Sequence, residues 1–424
     1  MRSHAGRILT FALLCAAVAA PCHPQTNPNQ AEETEIPLVG VVTRAASSGD
    51  FDVNGVQVLC GPHTVTGPTN DKTISWQGCP RETPFLGEVI SAYGWPNHKH
   101  HSFAADRLLI GLDMPQELSG RAIVEQVYRQ RSDGTMLRAD GYLILLSPQT
   151  KLHFKAPLQT SSGIAPDLWV AYKARRRDDG VLVASEAKFA TSDVGEGEQN
   201  LIADSVRHVN PKHPPKFQPS PDAAMQARVR RIGDSLVPSF ERPSPTSDPI
   251  WAPIHFEVIE GKNCHGMGVA ASGAILICTW AVQRMQNDSQ LAALLGFSVA
   301  GIIEHQPWRL RRDTDVINTA TVAISVAAAL NPFLLPVAVG EAHADKEILL
   351  SALTAQDARV SLWLLHDAGY DIHQAPIAFW LIASKKPEAL ADIPIPAEAQ
   401  FLYMYLGLQW RKAPPAGLNP PSHK

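Results

Sequence analysis

Between residue 35 and about residue 190 the chain is written in short alternating apolar runs punctuated by glycine. This is the period-two pattern of half-buried strands. Leu38-Val39-Gly40-Val41-Val42, Phe51–Val56, Leu86–Ile90 and Ala104–Leu108 form one set. Leu118–Val124, Leu137–Tyr142, Leu168–Tyr172 and Val183–Ala187 form a second. Gly40 and Gly120 stand 80 residues apart, as do Ala104 and Ala184. A fixed interval marks an internal repeat, so two similar strand-rich units are expected over 35–112 and 113–192. Asp133-Gly134 and Asp179-Gly180 supply hairpin turns within the second.

A polar stretch with Pro211, Pro214, Pro215, Pro219 and Pro221 reads as a linker, set at 193–222. Beyond it the period changes. Met225, Val229, Ile232 and Leu236 recur at helical spacing and stop before Pro238. Ile254–Ile259 alternates like a strand, and Ala274–Cys278 is a second apolar strand. Helical segments are expected near 287–306, 315–350 and 352–369. Residues 223–411 thus form a mainly helical domain, followed by a proline-rich, disordered tail over 412–424.

In each N-terminal copy the order is strand, hairpin, long excursion, strand, hairpin, strand. It suits an OB-like barrel and resembles the small β-barrel repeats of unknown function found in many bacterial exported proteins. In the C-terminal part four pieces stand in sequence: Arg230–Val237; Asn263, followed by Ser272-Gly273-Ala274-Ile275-Leu276-Ile277; Asp288–Gly296; and Asp367-Ala368-Gly369-Tyr370-Asp371. Together they resemble gluzincin peptidases of the HtpX-like and CAAX-prenyl-protease type, over about residues 222 to 390. They match that family's opening helix, hairpin, run into the zinc helix, and segment after the third ligand. The fold class implied is multidomain: N-terminal all-β tandem OB-like barrels plus a C-terminal mainly α (α+β) gluzincin-peptidase-like domain.

The resemblance implies an H-E-x-x-H motif next. Histidines at i and i+4 share a helix face and one zinc, and the Glu between them activates water. Here those positions hold Phe297, Ser298, Val299, Ala300 and Gly301. Phe and Gly carry no donor, and Ser298 is no base near neutral pH. The third ligand aligns with Gln356, or by a one-residue offset with Asp357. The expectation is therefore no catalytic residue, no metal and no cofactor, with the vacated pocket filled by apolar packing around Phe297. Zinc belongs only to an alternative, an active metallopeptidase with an atypical site. Asn263, Ser272, Gly273, Glu304 and His305 remain as cleft candidates. Glu304 and His305 are adjacent on the helix and do not share a face. Glu341, His343 and Asp345 read as a solvated helix start, and His98, His100 and His101 as an exposed hairpin loop.

Charge and targeting signals extend this picture. Arg2 and Arg7 precede an apolar run, Ile8–Ala20, with small residues at Ala17 and Ala19. That is the layout of a secretory signal peptide over 1–20, with a flexible leader over 21–34. Cys22 invites a lipoprotein reading, against which Pro21 stands. Without the signal peptide, 35 basic residues face 41 acidic ones, a net charge of −6, and no electrostatic case for nucleic acid. In an oxidising compartment Cys60/Cys79 and Cys264/Cys278 read as disulfides, the alternative being buried free thiols. Residues 316–339 form a strongly apolar stretch, broken by Asn318, Asn331, Pro332 and Pro336; a buried or membrane-contacting hairpin is expected. The chain is read as exported, periplasmic or extracellular, and its partner as a protein or an envelope component. No oligomeric state follows from the sequence.

Overall fold

The computed structural model describes residues 35–46, 49–71, 73–97, 99–112, 115–131, 134–207, 217–242, 252–261, 264, 266–317, 341–383 and 395–411. The signal peptide, leader and tail lie outside the described residues, as do most of the 316–339 stretch, His98 and Asn263.

The first repeat folds as β1 (Ile36–Ala45), β2 (Phe51–Val53), β3 (Val56–Leu59), β4 (Val65–Pro68), β5 (Trp76–Gln77), β6 (Val89–Asn97) and β7 (Ser102–Ile110). Pairing runs β3-β2-β1-β6-β7, and β3 returns to β7 to close a five-stranded barrel. The second repeat folds as β8 (Glu117–Arg131), β9 (Gly134–Ala139), β10 (Tyr142–Leu146), β11 (Lys151–Phe154), β12 (Leu168–Arg176) and β13 (Leu182–Thr191). Its order, β10-β9-β8-β12-β13 with β10 closing on β13, is the same topology. Closure removes the sheet edges that would otherwise template aggregation.

Register fixes the equivalences. Val42 pairs with Val53 as Val124 pairs with Ala139, and Val58 pairs with Phe103 as Ile144 pairs with Leu182. The interval between equivalent residues is therefore not a constant 80, because β8 carries two register shifts against β9 where β1 carries one against β2. A further repeat signature is a pair of buried threonines. Thr64 Oγ1 donates to Ala105 O at 2.6 Å, and Thr150 Oγ1 to Ala184 O at 2.7 Å.

The C-terminal part comprises α1 (Glu196–Arg207), β14 (Gln218–Pro219), α2 (Ala223–Leu236), β15 (His255–Glu260), β16 (Met267–Val269), β17 (Ala274–Cys278) and α3 (Thr279–Arg284), then α4 (Asp288–Ile303), α5 (Gln306–Ile317), α6 (Glu341–Asp367), α7 (Ala375–Ala383) and α8 (Ala397–Gln409). Two expectations change. The stretch read as linker begins with a helix, α1, and α6 runs unbroken through residues 350–352, where a boundary was expected. Side chains at the N-termini cap two helices: Asp222 accepts from Met225 N and Asn287 from Gln290 N, both at 2.9 Å. Helix α4 is buried on nearly all sides, which explains its lack of an amphipathic stripe. It packs between α2 and α6, against the β15–β17 sheet.

The described residues from Ile36 onward cluster as one compact unit, and the barrels dock on the helices through equivalent surfaces. The cross-strand pairs Val41–Val89 and Ile123–Trp169 both enter the helical core. The tight turns Asn54-Gly55 and Asp140-Gly141, all at positive φ, meet Trp380 and Arg359 respectively. Buried Arg359 donates from Nε to Asp140 O at 2.8 Å, from Nη1 to Tyr405 Oη at 2.6 Å, and from Nη2 to Asp140 Oδ1. Arg138 bridges Glu125 at 2.9 Å and Asp367, in α6, at 2.8 Å.

Both cysteine pairs are disulfides, Cys60–Cys79 with Cα atoms 5.3 Å apart and Cys264–Cys278 with 5.9 Å. Among the described residues no helix is long and apolar enough to cross a membrane.

Candidate functional site

The positions where zinc ligands would stand lie in the second half of α4. The Phe297 ring packs on Phe379 of α7, with centroids 4.8 Å apart and planes tilted by 58°, against the helical core. Ser298 is buried, its hydroxyl 3.0 Å from Met267 Sδ and 3.4 Å from the Leu294 carbonyl. One turn on, a Cβ on Gly301 would sit 3.6 Å from both carboxylate oxygens of Asp357. Apolar packing was expected around Phe297; the surroundings are apolar at Phe297 and polar at Gly301. There the Asp357 carboxylate accepts from Gln306 Nε2 at 2.6 Å. Burial drives the Asp357 carboxyl well above its usual range, against the pull of Arg309 and Arg359.

Gln356 is engaged elsewhere. Its amide nitrogen donates to Glu304 Oε2 at 3.1 Å, and its oxygen accepts from Arg309 Nη1 at 2.7 Å. Glu304 has no exposed surface and accepts the backbone N–H of Ile123, in barrel strand β8, at 3.2 Å. Its pKa lies well above the ordinary carboxylate value, chiefly through burial, with Arg309 opposing. His305 occupies the left-handed region at φ +52°, a conformation that costs a non-glycine residue about 1 kcal/mol. Contacts hold it there: Nδ1 lies 2.6 Å from Glu198 Oε1 of α1, and its ring sits 5.3 Å from Trp169 of the second barrel. Glu304 and His305 therefore tie the end of α4 to the barrel rather than line a cleft together.

Ser272 and Gly273 lie in the turn before β17, where Gly273 donates to Ala270 O and accepts from His255 N. His100 and His101 are exposed in the β6–β7 turn. Among the described residues no three His, Cys, Asp or Glu side chains form a metal-binding group. The donors that are present do not fit zinc either. Of the positions that the peptidase resemblance assigns to ligands, Phe297 and Gly301 lack a lone pair, Gln356 is an amide committed to Glu304 and Arg309, and Asp357 supplies a single carboxylate beside Gly301.

Sequence reasoning missed a concave site beside the second barrel. A cleft of about 610 Å3 opens between the second barrel and the C-terminal ends of α6 and α8. Tyr142 at the start of β10, Arg176 at the end of β12, Trp363 of α6, Gln409 at the end of α8 and Trp410 beyond it line it. The Trp363 and Trp410 rings lie 4.5 Å apart at 56°. A signal was present: Gln409-Trp410-Arg411 places amphipathic side chains just past a helix that the apolar run 401–408 would bury. No family model matches the sequence, and no curated protein matches it.

Proposed function

We propose that the protein is an exported, non-catalytic pseudopeptidase: a binding or scaffold protein of the cell envelope, with two OB-like barrels fused to an HtpX-like gluzincin fold that has lost its zinc chemistry. One observation carries the reading. The three α4 side-chain positions that would make a metallopeptidase are spent on Phe297 packing against Phe379, Ser298 buried on Met267, and Gly301 facing Asp357. A catalytic zinc needs three donors and an open position for water, and this helix supplies neither histidines nor a general base.

Supporting the rest of the reading are the β3–β7 and β10–β13 closures, the two disulfides, which suit an oxidising compartment, and the firm docking of both barrels on the helices. Barrel faces and clefts beside them suit the binding of extended chains. The partner is a protein or envelope component, with membrane contact assigned to 316–339, and export to the segment 1–20. Metal analysis of the purified protein, with a casein-cleavage assay with and without chelator, tests the core of the proposal. The expected result is sub-stoichiometric zinc and no chelator-sensitive cleavage. Stoichiometric zinc with sensitive cleavage overturns it in favour of an atypical metallopeptidase.

A further inference from the structure

We propose that the cleft between the second barrel and the ends of α6 and α8 is a receptor site for the terminal residue of an N-acylated amino acid or peptide: a carboxylate, the adjoining amide and an apolar side chain. This deepens the binding-protein reading and rests on it.

The distribution of unpartnered polar atoms points there. Among the described residues ten buried side-chain nitrogen and oxygen atoms lack a hydrogen-bond partner, and six belong to residues lining this one cleft. They are Tyr142 Oη, Arg176 Nε and Nη2, both amide atoms of Gln409, and Trp410 Nε1. Two of the remaining four, Glu125 Oε2 and Arg138 Nε, face each other as an ion pair at 2.9 Å. Buried polar atoms are almost always satisfied in folded proteins, so a concentration of them in one concave place calls for a partner. Tyr142 is itself 4% exposed, so this is a built site and not a surface patch.

The atom types define the ligand. Nε and Nη2 form one side of the guanidinium fork, whose spacing matches the two oxygens of a carboxylate. Gln409 offers one donor and one acceptor, the complement of a secondary amide. The tilted Trp363 and Trp410 rings offer an apolar wall, and Tyr142 Oη and Trp410 Nε1 offer further donors. Three arginines against two aspartates line the cleft, which favours an anion. A volume of about 610 Å3 lies in the ordinary range of small-ligand sites. Tyr142 is pre-set for the role, because its ring is flanked by Arg176 at 5.6 Å and Arg359 at 4.6 Å.

Isothermal titration of the full chain with N-acetyl-alanyl-phenylalanine, and with the C-terminal amide of the same dipeptide, tests the proposal. The free acid is expected to bind, and the amide at least about tenfold more weakly, the worth of a charge-assisted pair. Arg176→Gln should abolish that discrimination at an unchanged Tm, and Gln409→Leu should weaken acid and amide alike. Equal affinity for acid and amide, or binding of neither, overturns the proposal. Should Arg176→Gln fail to fold, the acid–amide comparison on the unaltered chain still decides. N-acetyl-phenylalanine separates the two sources of the chemistry: equal affinity identifies a single residue as the unit, and tighter binding of the dipeptide identifies a peptide end. Mass spectrometry of the recovered dipeptide keeps the two readings apart. Acid-selective binding with chelator-sensitive hydrolysis sinks the non-catalytic reading and leaves the site. Intact dipeptide without binding sinks the site and leaves that reading.

Discussion

Arg359→Met is expected to destabilise the protein by about 3–5 kcal/mol, the usual cost of stranding one half of a buried ion pair. The structure sets the terms. The guanidinium makes two bonds across the barrel–helix junction, both to Asp140, and a third to Tyr405 Oη of α8. Without it the Asp140 carboxylate keeps only Tyr172 Oη, at 2.9 Å. Urea titration at pH 7, followed by tryptophan fluorescence and far-ultraviolet circular dichroism, reads the loss as a midpoint shift of about 1 M or more. Trp363, whose Nε1 donates to Gly141 O at 3.0 Å, reports the junction itself, so the fluorescence transition should precede the dichroism transition in the variant. Adding Asp140→Asn removes the stranded charge and should recover all but about 1–2 kcal/mol, a coupling that only contacting residues show. A single-variant shift under about 0.3 M, or strictly additive losses in the double variant, would refute the view that this pair locks barrel to helix.

Three further outcomes are expected. Reducing the disulfides should cost about 3 kcal/mol each in the loop-entropy account, for sequence separations of 19 and 14, read as a fall in Tm on adding dithiothreitol. Gly141→Ala should cost several kcal/mol, because at φ +64° its Cβ would sit 2.4 Å from Arg359 Cβ. Gly180→Ala, at φ +85° with nothing within 4 Å, should cost only about 1 kcal/mol, so equal losses by urea titration would refute the close approach. Burial pushes the Glu241 carboxyl up to about 7, with Asp167 reinforcing and His305 opposing. The folded state then binds the proton more tightly than the unfolded state, so stability falls as pH rises from about 4.5 to 7 and levels off above, by at most about 3 kcal/mol. Glu241→Gln should flatten that slope and raise stability at pH 8; an unchanged slope refutes the assignment.

The parts of the fold legible in the sequence are those set by local periodicity and short-range chemistry. The strands around Val41, Val53, Ile123 and Val170 alternate clearly, Met225, Val229, Ile232 and Leu236 recur at helical spacing, and each cysteine pair closes a short loop. The repeat was visible as well, though its register was not, since bulges in β8 shift the interval without leaving a mark in composition. A better landmark was available in Pro62-His63-Thr64 and Pro148-Gln149-Thr150, whose threonines cap equivalent carbonyls. Contacts between residues far apart in the chain stayed hidden. Nothing near Asp140 points to Arg359, and nothing near Gln409 shows that it shares a cleft with Arg176, because both juxtapositions arise only when the second barrel settles on α6 and α8.

The two barrels differ at one backbone group, and the difference shows how α4 is tied to the second barrel. In the first barrel Val41 N–H is satisfied internally, by Asn54 Oδ1 at 3.0 Å. The equivalent group in the second barrel is Ile123 N–H, and the residue equivalent to Asn54 is Asp140, whose carboxylate is turned to Arg359. Ile123 is buried, and an unpaired N–H there would cost about 1–3 kcal/mol. Glu304, at the end of α4, takes the bond instead, and Gln356 holds Glu304 in place. The end of α4 and Gln356 of α6 thus fasten the second barrel to the helices. Replacing Gln356 by alanine would remove the amide that donates to Glu304 and so loosen the fastening of barrel to helix.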